Sequence, residues 1–391
     1  MSDKESPTEK RTEDMDGEEA RSGPGGVKPQ PLFNLDGVHY ESVRVLEQRG
    51  SGEVLILAQR RLQHGPTGHV VVRSLRSPIR FELRQRLVDE VKLAFLLHHP
   101  AIAQVHHLTI HRGAPHVIME YVDGPSLDTV LNLVAMRDEP VSPSFALYVA
   151  AEVADALHHA HALREGQGGA LGIIHRDVSP RNICLDTHGA VKLTHFGAAY
   201  SLMVGREETP HLLLKGDVAY ASPEYLHRQR LAPSSDVFSL GLVLLELLTG
   251  RHLFNVEEAA VARPLFQRSS EPVPKPEESP SLPFEMVRGL IDTYQPEDVE
   301  KAVEGQPEPL KVILLKALRR KPAERYATAA ELRDAVRAVH AQMPQPYGRM
   351  EAHEEIARLI SEASAERDRM ELPQDGIFPE GLEEHELSSR T

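Results

Sequence analysis

The chain has 391 residues, 58 of them acidic against 44 basic, for a formal net charge of −14, and this acidic balance argues against broad nucleic-acid binding, which needs clustered Lys and Arg. A single cysteine, Cys184, excludes a disulfide framework and points to a reducing compartment. The N-terminal stretch lacks the apolar run of a signal peptide, and the longest apolar run, Val237 to Leu248, is too short to span a bilayer, so a cytoplasmic protein that does not enter membranes is expected.

Residues 1 to 35 are polar, acidic and broken by Gly23-Pro24-Gly25-Gly26, which predicts disorder. From Val43 the pattern changes to short β-branched runs: Val43 to Leu46, Val54 to Leu57 and Val70 to Arg73. Gly65-Pro66-Thr67-Gly68 is expected to connect two of them as a hairpin. Phe81 to His98 has helical periodicity through Leu87, Val91, Ala94 and Phe95, and His116 to Val122 reads as a further strand. The composition then turns helical. Ser144 to Leu163 carries one apolar stripe, and Ser235 to Thr249 is apolar nearly all round, the pattern of a helix buried on most sides. Five prolines in residues 269–283 predict a surface loop. Leu310 to Leu318 and Thr328 to His340 are two more helices. Met350 to Met370 is an amphipathic helix with Ile356, Leu359, Ile360 and Ala363 on its apolar face, and the last twenty residues are expected to be unstructured. The histidine pairs His98-His99 and His158-His159, with His161, have no metal spacing and read as surface or core residues.

The segment His175-Arg176-Asp177-Val178-Ser179-Pro180-Arg181-Asn182 resembles the catalytic loop H-R-D-x-x-x-x-N of protein kinases. Phosphoryl transfer needs a carboxylate that orients the attacking hydroxyl and, five residues on, an amide oxygen facing a metal; Asp177 and Asn182 match those roles. Further matches follow the family order over about residues 38–342. Val70-Val71-Val72-Arg73 stands where V-A-I-K should, and Glu90 precedes Leu97-His98-His99-Pro100-Ala101-Ile102. Met119-Glu120-Tyr121-Val122 resembles the hinge between lobes. His195-Phe196-Gly197 occupies the D-F-G position and Ser222-Pro223-Glu224 that of A-P-E. Asp236-Val237-Phe238-Ser239-Leu240-Gly241 opens the buried helix, and Arg325 is placed to pair with Glu224. The wording of these motifs is most similar to bacterial Ser/Thr kinases. The resemblance implies an α+β, two-lobed fold, with a small antiparallel β-rich N-lobe over about 36–119 and a larger, mainly helical C-lobe over about 123–345. An acidic tail (1–35) precedes this domain and a second, 346–391, follows it.

Residues that shape the fold are present, whereas those that handle phosphate and metal differ from the family. His195 replaces an Asp that is a hard oxygen ligand, and imidazole is a poor partner for Mg²⁺; Mn²⁺ or Zn²⁺ is the softer alternative. Arg73 replaces a Lys and is expected to bridge to Glu90. In the glycine loop only Gly52 fits, with Glu47 and Arg49 in the place of the first two glycines. Val71 narrows the adenine slot that Val54 and Cys184 would line, with Glu120 and Val122 at the hinge. Ser179 stands in the place of a Lys that touches phosphate, for which Arg181 is the candidate substitute. Asp217, near Asp177, is expected to raise one carboxyl pKa. Thr209, Ser201 and Tyr200 are candidate modified hydroxyls.

Losing several of these groups together is expected to cost roughly 4–8 kcal/mol of transition-state stabilisation. The expectation is therefore a pseudokinase acting as scaffold or regulator toward a protein partner, binding ATP weakly or not at all and without a proper Mg²⁺ site. The alternatives are a weakly active Ser/Thr kinase with a protein substrate, and a nucleotide sensor or an enzyme moving another group such as AMP.

Overall fold

The computed structural model describes residues 30–48, 53–75, 87–88, 91–137, 139–164, 168–196, 199, 217–254 and 284–371. The expectations for Gly52, Glu90, Gly197, Tyr200, Ser201, Thr209, the proline-rich stretch 269–283 and the last twenty residues lie outside these.

Six strands form one antiparallel sheet in the order β1-β2-β3-β4-β6-β5. They are β1 (Gln30–Leu35), β2 (Val38–Gln48), β3 (Glu53–Leu62), β4 (Gly65–Leu75), β5 (Val105–His111) and β6 (Ala114–Glu120). The sheet buries both faces. Phe33, Tyr40, Ala58, Val70, Val72 and Ile118 cover one; Leu75, Val117, Leu87 and Val91 cover the other, where helical residues 91–94 pack. Coverage on two sides is why β4 reads as an unbroken Val run rather than an alternating one. The N-terminal boundary expected near residue 35 moves: Gln30–Leu35 is a strand, because Phe33 stacks on Tyr40 with ring centroids 4.9 Å apart.

The β3–β4 hairpin also differs from expectation. The turn is Gln63-His64, and Gly65-Pro66-Thr67-Gly68 lies inside β4. Gly65 and Gly68, at φ 121° and 120°, use their freedom to form a bulge in which Arg61 faces Pro66 and Arg60 faces Gly68. Proline in a strand is tolerated at such an irregularity because it donates no ladder hydrogen bond.

The second lobe is helical. Its elements are α1 (Leu127–Arg137), α2 (Pro143–Ala162), α3 (Pro223–Leu226), α4 (Pro233–Thr249), α5 (Phe284–Thr293), α6 (Pro296–Ala302), α7 (Glu308–Ala317), α8 (Ala329–His340) and α9 (Arg349–Glu371). Two three-residue strands, β7 (Ile183–Leu185) and β8 (Val191–Leu193), pair between α2 and α3. Ser142 caps α2 by accepting from the Phe145 N–H, with Pro143 at the first helical position, and Gly250 closes α4 at φ 70°. Every residue of α4 from Ser234 to Leu248 is buried, as its all-round apolar pattern required.

The expected Arg325–Glu224 pair is present, bidentate at 2.7 and 2.8 Å, and both side chains are buried. Arg325 also donates to the carbonyls of Ser234, Arg319 and Arg320, which leaves it well satisfied in the interior. The C-terminal helix α9 lies against α1. Ile356, Leu359 and Ala363 of the expected apolar face are buried, joined by Ala352, whereas Ile360 is 42% exposed and lies off the stripe.

Candidate active site

The catalytic-loop segment hangs from α4. Asp236, in the first turn of that helix, is fully buried and accepts the N–H groups of His175 at 2.8 Å and Arg176 at 2.9 Å, together with His161 Nε2 at 2.7 Å. Burial alone would push its carboxyl up; the hydrogen bond and charge of His161, with those two backbone donors and His175, outweigh it and hold the group below the ordinary carboxylate range. His175 is fixed as the neutral Nε2–H tautomer. Its Nε2 donates to the Thr194 carbonyl at 2.9 Å and its Nδ1 accepts from Asp177 N at 3.2 Å. Burial keeps its pKa below that of a free histidine, and its ring meets Phe196 edge-on at 4.5 Å.

Two non-glycine residues of the site occupy the left-handed region, Arg176 at φ 66° and His195 at φ 64°. Such backbone costs about 1 kcal/mol or more per residue and persists only where surrounding contacts impose it. Here the bonds to Asp236 and Thr194 impose it. Strain held at these two positions is the signature of a built site rather than of an accidental loop.

Asp177 and Asn182 are brought together. Asn182 Nδ2 donates to the Asp177 carbonyl at 2.8 Å, and Asp177 Oδ1 accepts the Asp217 N–H at 2.9 Å. The Asp177 carboxyl is raised first by burial, with the Asp217 charge adding in the same direction, so the expected mutual effect exists as the smaller cause. The Asp217 carboxylate turns away to accept from Ala219 N at 3.1 Å.

Thr194, which the motif comparison passed over, organises the metal-side corner. Its hydroxyl donates to the Asn182 carbonyl at 3.1 Å and lies 2.8 Å from His195 Nδ1. A hydroxyl has one proton, so with that proton on Asn182 the His195 Nδ1 carries hydrogen and donates to Thr194. Toward a metal, this corner offers the remaining imidazole nitrogen and the Asn182 amide oxygen, where Mg²⁺ demands an octahedron of hard oxygens. Among the described residues no cluster of three or more His, Cys, Asp or Glu is placed to hold a metal ion. The donor set does not fit magnesium.

On the sheet side, register decides what faces what. Leu55 pairs with Arg73 and Leu57 with Val71, whereas Val54 pairs with Ser74. Directly paired residues share a face, so Glu53, Leu55, Leu57, Val71 and Arg73 lie on one side and Val54 on the other. Val54 and Val71 are therefore not brought together, contrary to the expectation that both line one slot. Arg73 Nε donates to Glu53 Oε1, on the adjacent strand, and Glu53 is 7% exposed. The expected partner Glu90 lies outside the described residues, and nothing in the sequence pattern had singled out Glu53.

At the hinge, Glu120 ties strands together: Oε1 accepts from Lys192 Nζ at 2.8 Å and Oε2 from Gln104 N at 2.9 Å. Val122 is half-buried. Gly124 has no room for a side chain, since a Cβ there would sit 2.0 Å from the Leu185 carbonyl oxygen. Cys184 pairs with Lys192 across β7–β8, and burial pushes its thiol up to about 11, so it acts as a small apolar residue.

The protein kinase domain family matches residues 50–336, which takes in both lobes. The chain belongs to the protein kinase family. It is 33% identical over 311 residues to the serine/threonine-protein kinase PknB of Mycolicibacterium smegmatis, covering 78% of this chain and 44% of that protein. The PknB of Mycobacterium tuberculosis H37Rv is 32% identical over 330 residues, 83% of this chain and 46% of that one. A tyrosine-protein kinase, MasK of Myxococcus xanthus, is 33% identical over 251 residues, 63% of this chain and 34% of that protein. The chain thus spans less than half the length of the curated relatives it matches. Among its described residues no helix is long and apolar enough to cross a membrane. The protein kinase match stops before α9, which lies beyond residue 336.

Proposed function

We infer that this protein kinase family member is a catalytically impaired regulator or scaffold that works by contact with a protein partner in a signalling process. The observation that carries this reading is His195: an imidazole, hydrogen-bonded through Nδ1 to Thr194, stands where the family pattern has a metal-gripping carboxylate. The Arg73 position adds to it, because a longer planar guanidinium stands where the family has the compact ammonium of a Lys. In this reading Asp177 and Asn182 are retained for shape. The nucleotide site that the family motifs assign to Gly52, Val71, Arg73, Glu90, Glu120, Val122, Cys184 and His195 holds nucleotide weakly at most. The domain spans residues 30–345, with β1 included and α9 packed against it, and works in the cytoplasm.

The test is a radiolabelled ATP assay on the full chain with Mg²⁺ and with Mn²⁺, beside His195→Asp and Asp177→Asn. No incorporation above the Asp177→Asn background is expected for the wild type, and none for His195→Asp alone. Robust wild-type incorporation that Asp177→Asn abolishes would sink the reading. That outcome would favour the second one, a weakly active Ser/Thr kinase. Its support is the preserved Asp177–Asn182 geometry with its strained flanking residue Arg176.

A further inference from the structure

Ser222 stands where the A-P-E pattern has an alanine, so this chain places a hydroxyl where the pattern has only a methyl group. The side chain is 2% exposed, and its oxygen has no hydrogen-bond partner among the described residues. It does not serve as a cap either: α3 starts after Ser222 without a side-chain cap bond. A buried hydroxyl left unanswered is costly, and such groups are paired with protein or with an ordered water. Ser222 borders a small cavity whose other polar lining comes from Arg176 of the catalytic loop and from Ser235, Asp236 and Ser239 at the start of α4. The space open to the centre of a water molecule there amounts to about 10 Å³. That is room for a single water and for nothing larger. We infer that this cavity is a one-water site, created by Ser222, that joins the catalytic loop, the segment leading into α3, and α4.

A buried water needs two to four polar partners, and the lining supplies them. The Ser222 hydroxyl can both give and accept. Ser235 Oγ accepts from the Ala232 N–H at 3.3 Å, which leaves its own proton to give. Ser239 Oγ gives its proton to the Ser235 carbonyl at 3.3 Å, which leaves its lone pairs to accept. All three side chains are at most 6% exposed. The same accounting makes the ligand neutral. Asp236 is already answered by His161 and by the N–H groups of His175 and Arg176, so its charge calls for no cation in the cavity. An anion would face that buried carboxylate and be repelled. The water therefore ties the helix start that holds the His175 and Arg176 backbone to the chain that runs from Asp217 into α3.

Oxygen-17 magnetic relaxation dispersion of the solvent counts the waters held inside a protein in solution, and comparing the full chain with its Ser222→Val variant tests the site. The backbone at Ser222, φ −74° and ψ 152°, is the extended conformation that a residue before proline adopts, and it admits valine. The valine methyl groups fill the space and remove the hydroxyl. Ser222→Val is expected to lack one long-lived water relative to the wild type. Equal dispersion amplitudes in the two folded proteins overturn the inference. Should Ser222→Val fail to fold, a crystal structure of the wild-type chain decides. An ordered water within about 3.2 Å of Ser222 Oγ and of at least two further polar atoms of the lining supports the site. A cavity without that water overturns it. Neither measurement depends on phosphate transfer, so the outcome is independent of whether the chain turns over ATP.

Discussion

Ser142 and Glu355 are 213 positions apart, yet the Glu355 carboxylate accepts both the Ser142 N–H and the Ser142 hydroxyl, each at 2.7 Å. The same carboxylate accepts the Tyr347 hydroxyl at 2.7 Å and is buried. Ser142 is the cap of α2, so the C-terminal helix completes the start of a helix in the middle of the lobe. On its other flank, a Cβ on Gly189 would lie 1.9 Å from the Arg349 carbonyl oxygen, so the β7–β8 turn and α9 are in backbone contact. Glu355→Ala leaves three donors unanswered and is expected to destabilise the protein by about 2–4 kcal/mol. Urea unfolding followed by circular dichroism measures this; a change below about 0.5 kcal/mol would show that α9 is an accessory, not part of the domain.

A larger loss is expected at Glu224. Its partner Arg325 has no exposed side-chain surface, and Glu224→Gln leaves that guanidinium charge uncompensated in the interior. Breaking such a pair by removing one member costs about 3–5 kcal/mol. Replacing both residues by apolar ones of similar volume is expected to cost less than the single change, and a double-mutant cycle in thermal unfolding reads the difference.

Acid is expected to weaken the fold through histidines. The His99 and His159 rings meet at a tilt with centroids 5.3 Å apart, joining the two histidine pairs that are far apart in sequence, and His99 lies 3.7 Å from Asp155. Burial lowers the pKa of both, and for His159 the neighbouring imidazoles lower it further; His175 is lowered by burial as well. A histidine whose folded pKa is depressed contributes stability that is present above its unfolded pKa, near 6.5, and lost as pH falls through the folded value. Denaturant midpoints are therefore expected to drop between pH 7.5 and 5. In the His99→Gln/His159→Gln double variant the drop should be shallower. Equal slopes in the two proteins would remove these histidines as the cause.

Cys184 should be unreactive while the protein is folded. With its thiol pushed up to about 11 from an ordinary 9.0, thiolate at neutral pH falls about a hundredfold. Alkylation by iodoacetamide at pH 7.5 is expected to be at least a hundredfold slower in the native protein than in urea. Comparable rates would mean that the β7–β8 hairpin opens readily.

Much of the architecture was readable from pattern. The all-round apolar run of α4 named a buried helix, and motif order placed Arg325 against Glu224 before any geometry was known. What pattern missed depended on parity and on long-range packing. Counting from Gly52 assigns Val54 to the slot, but a bulge where Arg60 and Arg61 face Gly68 and Pro66 fixes a register that turns Val54 to the opposite face. A one-residue slip inverts a whole strand, and nothing within the strand records it. Glu53 escaped notice for the same reason. Ile360 was assigned inward because helical periodicity leaves neighbouring positions nearly equivalent until a partner helix chooses between them. Thr194 carries no motif signal; only its hydrogen bonds to Asn182 and His195 reveal its part.

The Arg325–Glu224 clamp fastens two points separated by 101 positions. Four helices, α4 to α7, lie within that span, so the pair staples their two ends together without a covalent bond. Cutting the chain once between α4 and α5 should leave the two pieces associated until denaturant is added.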